Sequence, residues 1–98
     1  MKFINKQANN VTLVADDNTV YQTNVDAQIR ALTVHNPTEA NIDLVISLGD
    51  KQYVKKTVTP NATEVISQLF NQQIKKTEAL TMIGEGLNVL LTVVEITE

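Results

Sequence analysis

The run NIDLVISL, Asn41–Leu48, constrains the fold of this chain most tightly, because its apolar residues recur at every second position. Successive side chains of an extended strand point to opposite faces, whereas a helical period of 3.6 would scatter the same residues around an axis. Four aliphatic side chains therefore share one face: Ile42, Leu44, Ile46 and Leu48. The alternation predicts a β-strand with one buried face.

A second strand is expected directly after this one. Gly49-Asp50 is a turn-forming pair, and it is followed by the run KQYVKKTV, Lys51–Val58. In that run Val54 and Val58 fall on one face, with Lys56 between them. Residues 41–58 are thus predicted to form a β-hairpin.

Two other pairs of runs have the same organisation. Val11–Ala15 and Thr19–Val25 flank Asp16-Asp17-Asn18, and Ala79–Ile83 precedes Gly84-Glu85-Gly86 and a long final run, Leu87–Ile96. Both connections consist of turn-forming residues, so each pair is predicted to form a hairpin. The final run is apolar at nearly every position, which is typical of a central strand or of one whose outer face meets another subunit.

Another strand is predicted at Ile29–His35, and it ends at Asn36-Pro37-Thr38, because proline lacks a backbone donor and restricts the residue before it. Simple alternation places Arg30 on the same face as Leu32 and Val34. Ile29 and Ala31 then fall on the opposite face.

The stretch after the turn Thr59-Pro60-Asn61-Ala62 supports two interpretations. Residues 63–74, TEVISQLFNQQI, fit either an extended strand or a short helix, because Val65, Ile66 and Leu69 also match helical spacing. The β-rich sequence on both sides favours the strand, and the helix stays open as the alternative.

Several short strands separated by turns about 8 to 12 residues apart indicate an antiparallel β-sandwich, Ig-like or jelly-roll-like, of about 7 to 9 short strands. The chain of 98 residues is 43% hydrophobic but contains few aromatics, so its core is expected to consist of branched aliphatic side chains. We therefore expect residues 1–98 to form a single all-β domain.

Charge and hydropathy limit the classes of partner. The formal net charge is −3 and the sequence pI is near 5.0, and the basic residues do not form a continuous face that could follow a phosphate backbone. No stretch approaches the roughly 18 apolar residues of a membrane span, and the N-terminus lacks a signal-peptide core. We expect a protein made in the cytoplasm and not secreted, which binds neither nucleic acid nor membrane.

The residues that usually carry catalysis or bind metals are few and isolated. There is no cysteine, the single histidine is His35, and Ser47 and Ser67 lack the sharp glycine-flanked turn that exposes a nucleophile. Asp16-Asp17-Asn18 could offer oxygen ligands to calcium, although a turn favours the same residues. We predict no catalytic residue, no cofactor and no metal site, so the chain is not expected to be an enzyme.

Four residues stand out as candidates for an interaction surface. Tyr53 and Lys55 lie on the outer face of the predicted hairpin, Lys56 lies next to them, and Phe70 closes an apolar cluster. Lysines also protect sheet edges from unwanted pairing, and an aromatic residue in a small domain is more often part of the core. Edge protection for the lysines and burial for Phe70 are therefore the competing interpretations.

The sequence from Ala31 onward, about two thirds of the chain, resembles small β-sandwich virion proteins of tailed bacteriophages. The resemblance lies in ALTVHNPTEANIDLVISLGDKQYVKKTVTPNATEVISQLFNQQI and in the ending EGLNVLLTVVEITE. Its features are the strand that closes on His35-Asn36-Pro37-Thr38, the strand that ends at Gly49-Asp50, the turn with Pro60 and Thr63, and the terminal Val94-Glu95-Ile96. The polar stretch from Asn71 to Glu78 departs from that pattern.

The resemblance implies a structural subunit of the virion, such as a head decoration protein or a head–tail neck (connector) component. Its partners would be copies of itself and other virion proteins, namely capsid, portal or neck subunits. A monomeric β-sandwich binding module, regulator or inhibitor that uses its loops is the alternative, since loops held by a rigid scaffold often carry recognition.

Overall fold

A computed structural model, which describes residues 1–97, contains two antiparallel β-sheets that pack face to face. The predicted all-β sandwich is therefore confirmed. The strands are β1 Lys2–Thr12, β2 Asn18–Tyr21, β3 Asp26–His35, β4 Ile42–Leu48, β5 Lys51–Val58, β6 Thr63–Val65, β7 Gln73–Ile74, β8 Leu80–Ile83 and β9 Asn88–Thr97. Among residues 1–97 no helix is long and apolar enough to cross a membrane.

The first sheet has the strand order β1-β9-β3-β6, with β7 also paired to β3. The second sheet has the order β2-β8-β4-β5. In the first sheet β9 lies between β1 and β3, so the central position, one of the two alternatives for the final strand, is correct. Its inward side chains Val89, Leu91 and Val93 are buried, as is Leu87 directly before the strand.

Only one of the three predicted hairpins forms. β4 and β5 pair over residues 42–58 as expected, with Val54 and Val58 buried. The predicted pairing across Asp16-Asp17-Asn18 is wrong, because β1 pairs with β9 and β2 pairs with β8 in the other sheet. The predicted pairing across Gly84-Glu85-Gly86 is wrong for the same reason, since β8 and β9 belong to different sheets.

Both of these connections cross from one sheet to the other at the same end of the sandwich. Leu13 and Leu87 are buried at the two crossings, and the N–H of Leu13 donates to the carbonyl of Leu87 at 2.8 Å. The N–H of Gly86 donates to the carbonyl of Leu13 at 2.9 Å. Burial of one leucine in each connection removes apolar surface from water and so stabilises the crossing.

Strand β3 departs from simple alternation at one residue. Ile29 pairs with Val93 and Ala31 pairs with Thr92, so Arg30 is the extra residue of a β-bulge. The bulge brings Ile29 onto the same inward face as Leu32 and leaves Arg30 exposed. The prediction that Arg30 shares a face with Leu32 and Val34 is therefore wrong.

The ambiguous segment contains both predicted conformations in succession. β6 covers Thr63–Val65, a single 3₁₀ turn covers Ser67–Leu69, and β7 covers Gln73–Ile74. Ile66 and Leu69 are buried at either end of the turn, which accounts for the helical spacing in the sequence. The favoured strand is correct only for the two ends of the segment.

A buried asparagine fixes the end of β5. The side-chain amide of Asn36 donates to the carbonyls of Val58 at 2.9 Å and Ala40 at 2.8 Å. Its side-chain oxygen accepts from the backbone N–H of Thr38 at 2.9 Å and from the hydroxyl of the same residue at 2.7 Å. Every polar atom of this buried side chain has a hydrogen-bond partner, and these bonds compensate the cost of removing the amide from water.

Candidate interaction surfaces

Three of the four large aromatic side chains lie on the surface of the sandwich. Phe3 is 65% exposed, Tyr53 is 61% exposed and Phe70 is 41% exposed, while only Tyr21 is buried. The core therefore consists almost entirely of aliphatic side chains, as the composition predicts. Exposed aromatic residues are enriched at protein–protein interfaces, where they supply large contact area at a low cost in conformational entropy.

Tyr53 projects from a bulge in β5. Ile46 pairs with Val54 and Ser47 pairs with Gln52, so Tyr53 is the residue without a partner on β4. Its side chain forms one wall of a cleft of about 480 Å³ between the β4–β5 turn and residues 68–78. The bulge thus directs an aromatic side chain to the mouth of a cleft.

The cleft has an apolar floor and a polar rim. Val54 and Leu69 form the floor together with Leu48, and three glutamines line the walls: Gln68, Gln72 and Gln73. Lys75 and Glu78 add one charge of each sign. Amide groups donate and accept hydrogen bonds, so this lining suits a small polar ligand or an extended peptide.

Phe70 does not lie in the core, so the interpretation that it is buried is wrong. Leu69 takes the inward position at the end of the 3₁₀ turn, and Phe70 follows with an extended backbone and an exposed side chain. Asn71 then adopts a positive φ of 62°, and its N–H donates to the carbonyl of Ile29 at 2.8 Å. Phe70 directly follows Leu69, which lines the cleft, but Phe70 itself does not line it.

The two lysines predicted as a surface pair have different environments. Lys55 is exposed on the outer face of β5. The ammonium of Lys56 lies 2.8 Å from Glu64 of β6, a strand of the other sheet. Lys56 therefore links the two sheets at their edge. Of these two lysines, only Lys55 has no ion pair within residues 1–97, so its ammonium is available to a partner protein.

Strand β1 is a surface that sequence reasoning missed. It is the longest strand of the fold, yet none of its eleven residues is buried. Phe3, Ile4 and Val11 are exposed large apolar side chains on it. The sequence signal was weak, because Asn5 to Asn10 are almost all polar and show no apolar alternation.

β1 is connected to the second sheet through its middle and through one charged group. The side-chain amide of Asn9 donates to the carbonyl of Val20 at 2.8 Å, and Ala8 packs against the core. The ammonium of Lys6 lies 3.0 Å from Glu95, whose carboxylate also accepts from the hydroxyl of Tyr21 at 2.5 Å. The facing strand β2 has only four residues, so it can face only part of the eleven-residue β1.

The Tyr21–Glu95 contact changes the acidity of both groups. The hydrogen bond from Tyr21, aided by Lys6, holds the pKa of the Glu95 carboxyl below its ordinary value of 4.5. Burial, together with the neighbouring carboxylate, raises the pKa of Tyr21 well above its ordinary value. Tyr21 thus remains a neutral donor and Glu95 an ionised acceptor at neutral pH.

The residues considered for chemistry make structural contacts. The ring Nδ1 of His35 lies 2.8 Å from the hydroxyl of Thr63, and the side-chain amide of Asn18 donates to the carbonyls of Val14, Asp16 and Met82. Within residues 1–97 no group of three or more His, Cys, Asp or Glu side chains is placed to hold a metal ion. Comparisons with family models, with curated proteins and with solved structures give no match to this chain.

Proposed function

We propose that this domain is a structural subunit that acts through protein–protein contacts in a symmetric assembly of many copies. The observation that carries the proposal is the exposure of Phe3, Tyr53 and Phe70 on a domain whose core contains a single aromatic residue. Large aromatic side chains on the surface are costly to leave in water and are favoured where a partner covers them.

The setting that we propose for this assembly is the virion of a tailed bacteriophage, at the head surface or at the head–tail neck. The support is the resemblance from Ala31 onward and the small size of the domain, which limits the area it can bury alone. Partners would be copies of the chain and other virion proteins. No catalytic step is proposed.

Two measurements test this proposal. Sedimentation velocity over a range of concentrations should show reversible association. Tyr53→Ser and Phe70→Ser should weaken this association, whereas the control Thr57→Ser, at an exposed position of β5, should not. Peptide mass spectrometry on phage particles purified from a strain that carries the gene should detect the chain in many copies. A strict monomer that is absent from purified particles would contradict the proposal.

The cleft beside Tyr53 favours a second candidate, a monomeric binding module. Its test is the titration of the ¹⁵N-labelled chain with free tetrapeptides and with neutral oligosaccharides. Amide shifts confined to residues 48–54 and 68–78, and abolished by Tyr53→Ala, would support this candidate. The absence of shifts in the wild-type chain would count against it.

A further inference from the structure

The free edge of β1 has properties that none of the other sheet edges share. β1 is hydrogen-bonded to β9 along one edge only, and its other edge has no strand partner in the described part of the chain. Because β1 buries no side chain, it is held by that single ladder, by the contacts at Ala8 and Asn9, and by the side-chain contacts of Lys6 with Glu95 and of Thr12 with Asn88. A second ladder on the free edge would give hydrogen-bond partners to the backbone N–H and C=O groups that point away from β9.

The other edge strands carry features that block pairing. β5 has Lys51 and Lys55 along it, while β2, β6 and β7 have only four, three and two residues. Short strands and lysines are common means by which sheet edges avoid pairing with one another. Edge pairing at these strands is therefore disfavoured.

β1 is protected along only half of its length. Lys2 and Lys6 lie before the bulge at Ala8, and no charged residue follows before the end of the strand. The segment Gln7–Thr12, QANNVT, is thus an uncharged and unpaired stretch of edge. Exposed Val11 and Val14 lie at the same end of the strand.

We infer that Gln7–Thr12 is a self-association edge, which pairs in the antiparallel direction with the same segment of a second copy of this chain. The direction follows from the lysines. Parallel pairing in register would place Lys2 and Lys6 opposite their own copies, and like charges directly opposite one another destabilise a ladder. An antiparallel pair of Gln7–Thr12 segments has its two-fold axis at Asn9 or Asn10, which places Lys6 opposite Thr12 in the first case and opposite a residue beyond the end of the partner's β1 in the second.

The paired edges join the two first sheets into one continuous sheet across the dimer. The contact is isologous, since the same segment contributes on both sides, and closed symmetry of this kind is the commonest in oligomers. This inference rests on the proposed function as a subunit of an assembly and specifies one of its contacts, the contact between copies. The exposed aromatics Tyr53 and Phe70 remain for other contacts.

A single-cysteine scan tests the inference directly, because the chain contains no cysteine of its own. A two-fold axis perpendicular to the sheet places one β1 residue opposite its own copy, with the two side chains on the same face. We would oxidise Gln7→Cys, Asn9→Cys, Asn10→Cys and Val11→Cys separately, with Gln52→Cys on the β5 edge as the matched control. Disulfide-linked dimer should peak at one β1 position, at least about fivefold above the control, and fall on either side of it.

Two results would overturn the inference. Cross-linking no greater than in Gln52→Cys would mean that the β1 edge does not meet its own copy, and equal cross-linking at every position would mean that the strands are not antiparallel. If ultracentrifugation still showed oligomers in the first case, the proposed assembly role would stand and only this contact would fail.

A second pair of variants keeps the test independent of disulfide geometry. Val11→Lys adds a charge to the unprotected half of β1, and Gln52→Lys adds the same charge to the β5 edge; both positions are exposed. The dissociation constant of the dimer should rise about tenfold or more in Val11→Lys and remain unchanged in Gln52→Lys. Equal effects in two folded variants would contradict the assignment of the contact to β1.

Discussion

The edge strands β1 and β5 lie in different sheets and are stabilised in different ways. β5 buries Val54 and Val58, its last carbonyl accepts a bond from Asn36, and Lys56 ties it to Glu64. β1 is longer but buries no residue, and it depends mainly on its ladder with β9. The difference indicates that β5 contributes chiefly to the stability of the fold, whereas β1 contributes a surface.

The largest expected contrast is between two asparagines. Asn36→Ala leaves the carbonyls of Val58 and Ala40 without their donor, and we expect a loss of about 3 kcal/mol in the free energy of unfolding. Asn10→Ala on β1 removes an exposed side chain and should change it by less than about 0.5 kcal/mol. Chemical denaturation of both variants measures the two free energies of unfolding, and equal losses would contradict the difference between β5 and β1.

The valines of the two strands give the next contrast. Val58→Ala removes fully buried methyl groups, for which we expect a cost of about 2 kcal/mol. Val11 is 38% exposed, so Val11→Ala should cost less than about 0.5 kcal/mol in the monomer. Thermal unfolding at low concentration is the measurement, and a cost for Val11→Ala close to that for Val58→Ala would show that β1 is packed.

The Glu95 carboxylate of β9, which contacts Lys6 of β1, should make the stability of the fold depend on pH. Because its pKa is lower in the folded chain, the unfolded chain binds more protons in acid, and the stabilisation is present above pH 4.5 and lost as the pH falls through the folded pKa. Glu95→Gln should lower the free energy of unfolding by about 1 kcal/mol at neutral pH, and the difference from wild type should shrink in acid. A difference that does not change between pH 7 and pH 3 would contradict this.

The edge opposite β1 in the same sheet contains a strained turn next to β7. Thr77 has a φ of 69°, which is unfavourable for a β-branched residue, and its N–H donates to the carbonyl of Thr23 at 2.7 Å. Thr77→Gly should relieve the strain and raise the free energy of unfolding by about 0.5 kcal/mol. The control Thr59→Gly has no positive φ to relieve and should lower it, so a gain in both variants would point to another cause.

The sequence predicted the strands better than it predicted their partners. Alternation identified β4 and β5, because side-chain period is a local property of an extended chain. The turn residues at Asp16-Asp17-Asn18 and Gly84-Glu85-Gly86 did not distinguish a hairpin from a crossing between sheets. That choice depends on whether Leu13 and Leu87 are buried, which is a property of the whole sandwich.

Candidate surface residues were predictable only in part. Tyr53 and Lys55 are exposed as alternation indicates, but the ion pair of Lys56 with Glu64 joins residues on different sheets. Phe70 is exposed, so its competing interpretation as a core residue is wrong, because Leu69 fills the inward position of the 3₁₀ turn. Of β1, only Val11 and Thr12 fell within a predicted strand, since a strand without a buried face has no apolar pattern to detect.

Amide hydrogen exchange along Asn9–Thr12 is the most direct test of the claim that β1 is an association edge. In an isolated edge strand the N–H groups point alternately toward β9 and toward solvent, so every second amide should exchange rapidly. We expect this alternating pattern in dilute solution and protection of consecutive amides at concentrations where copies associate. An alternating pattern that persists in the associated state would contradict it.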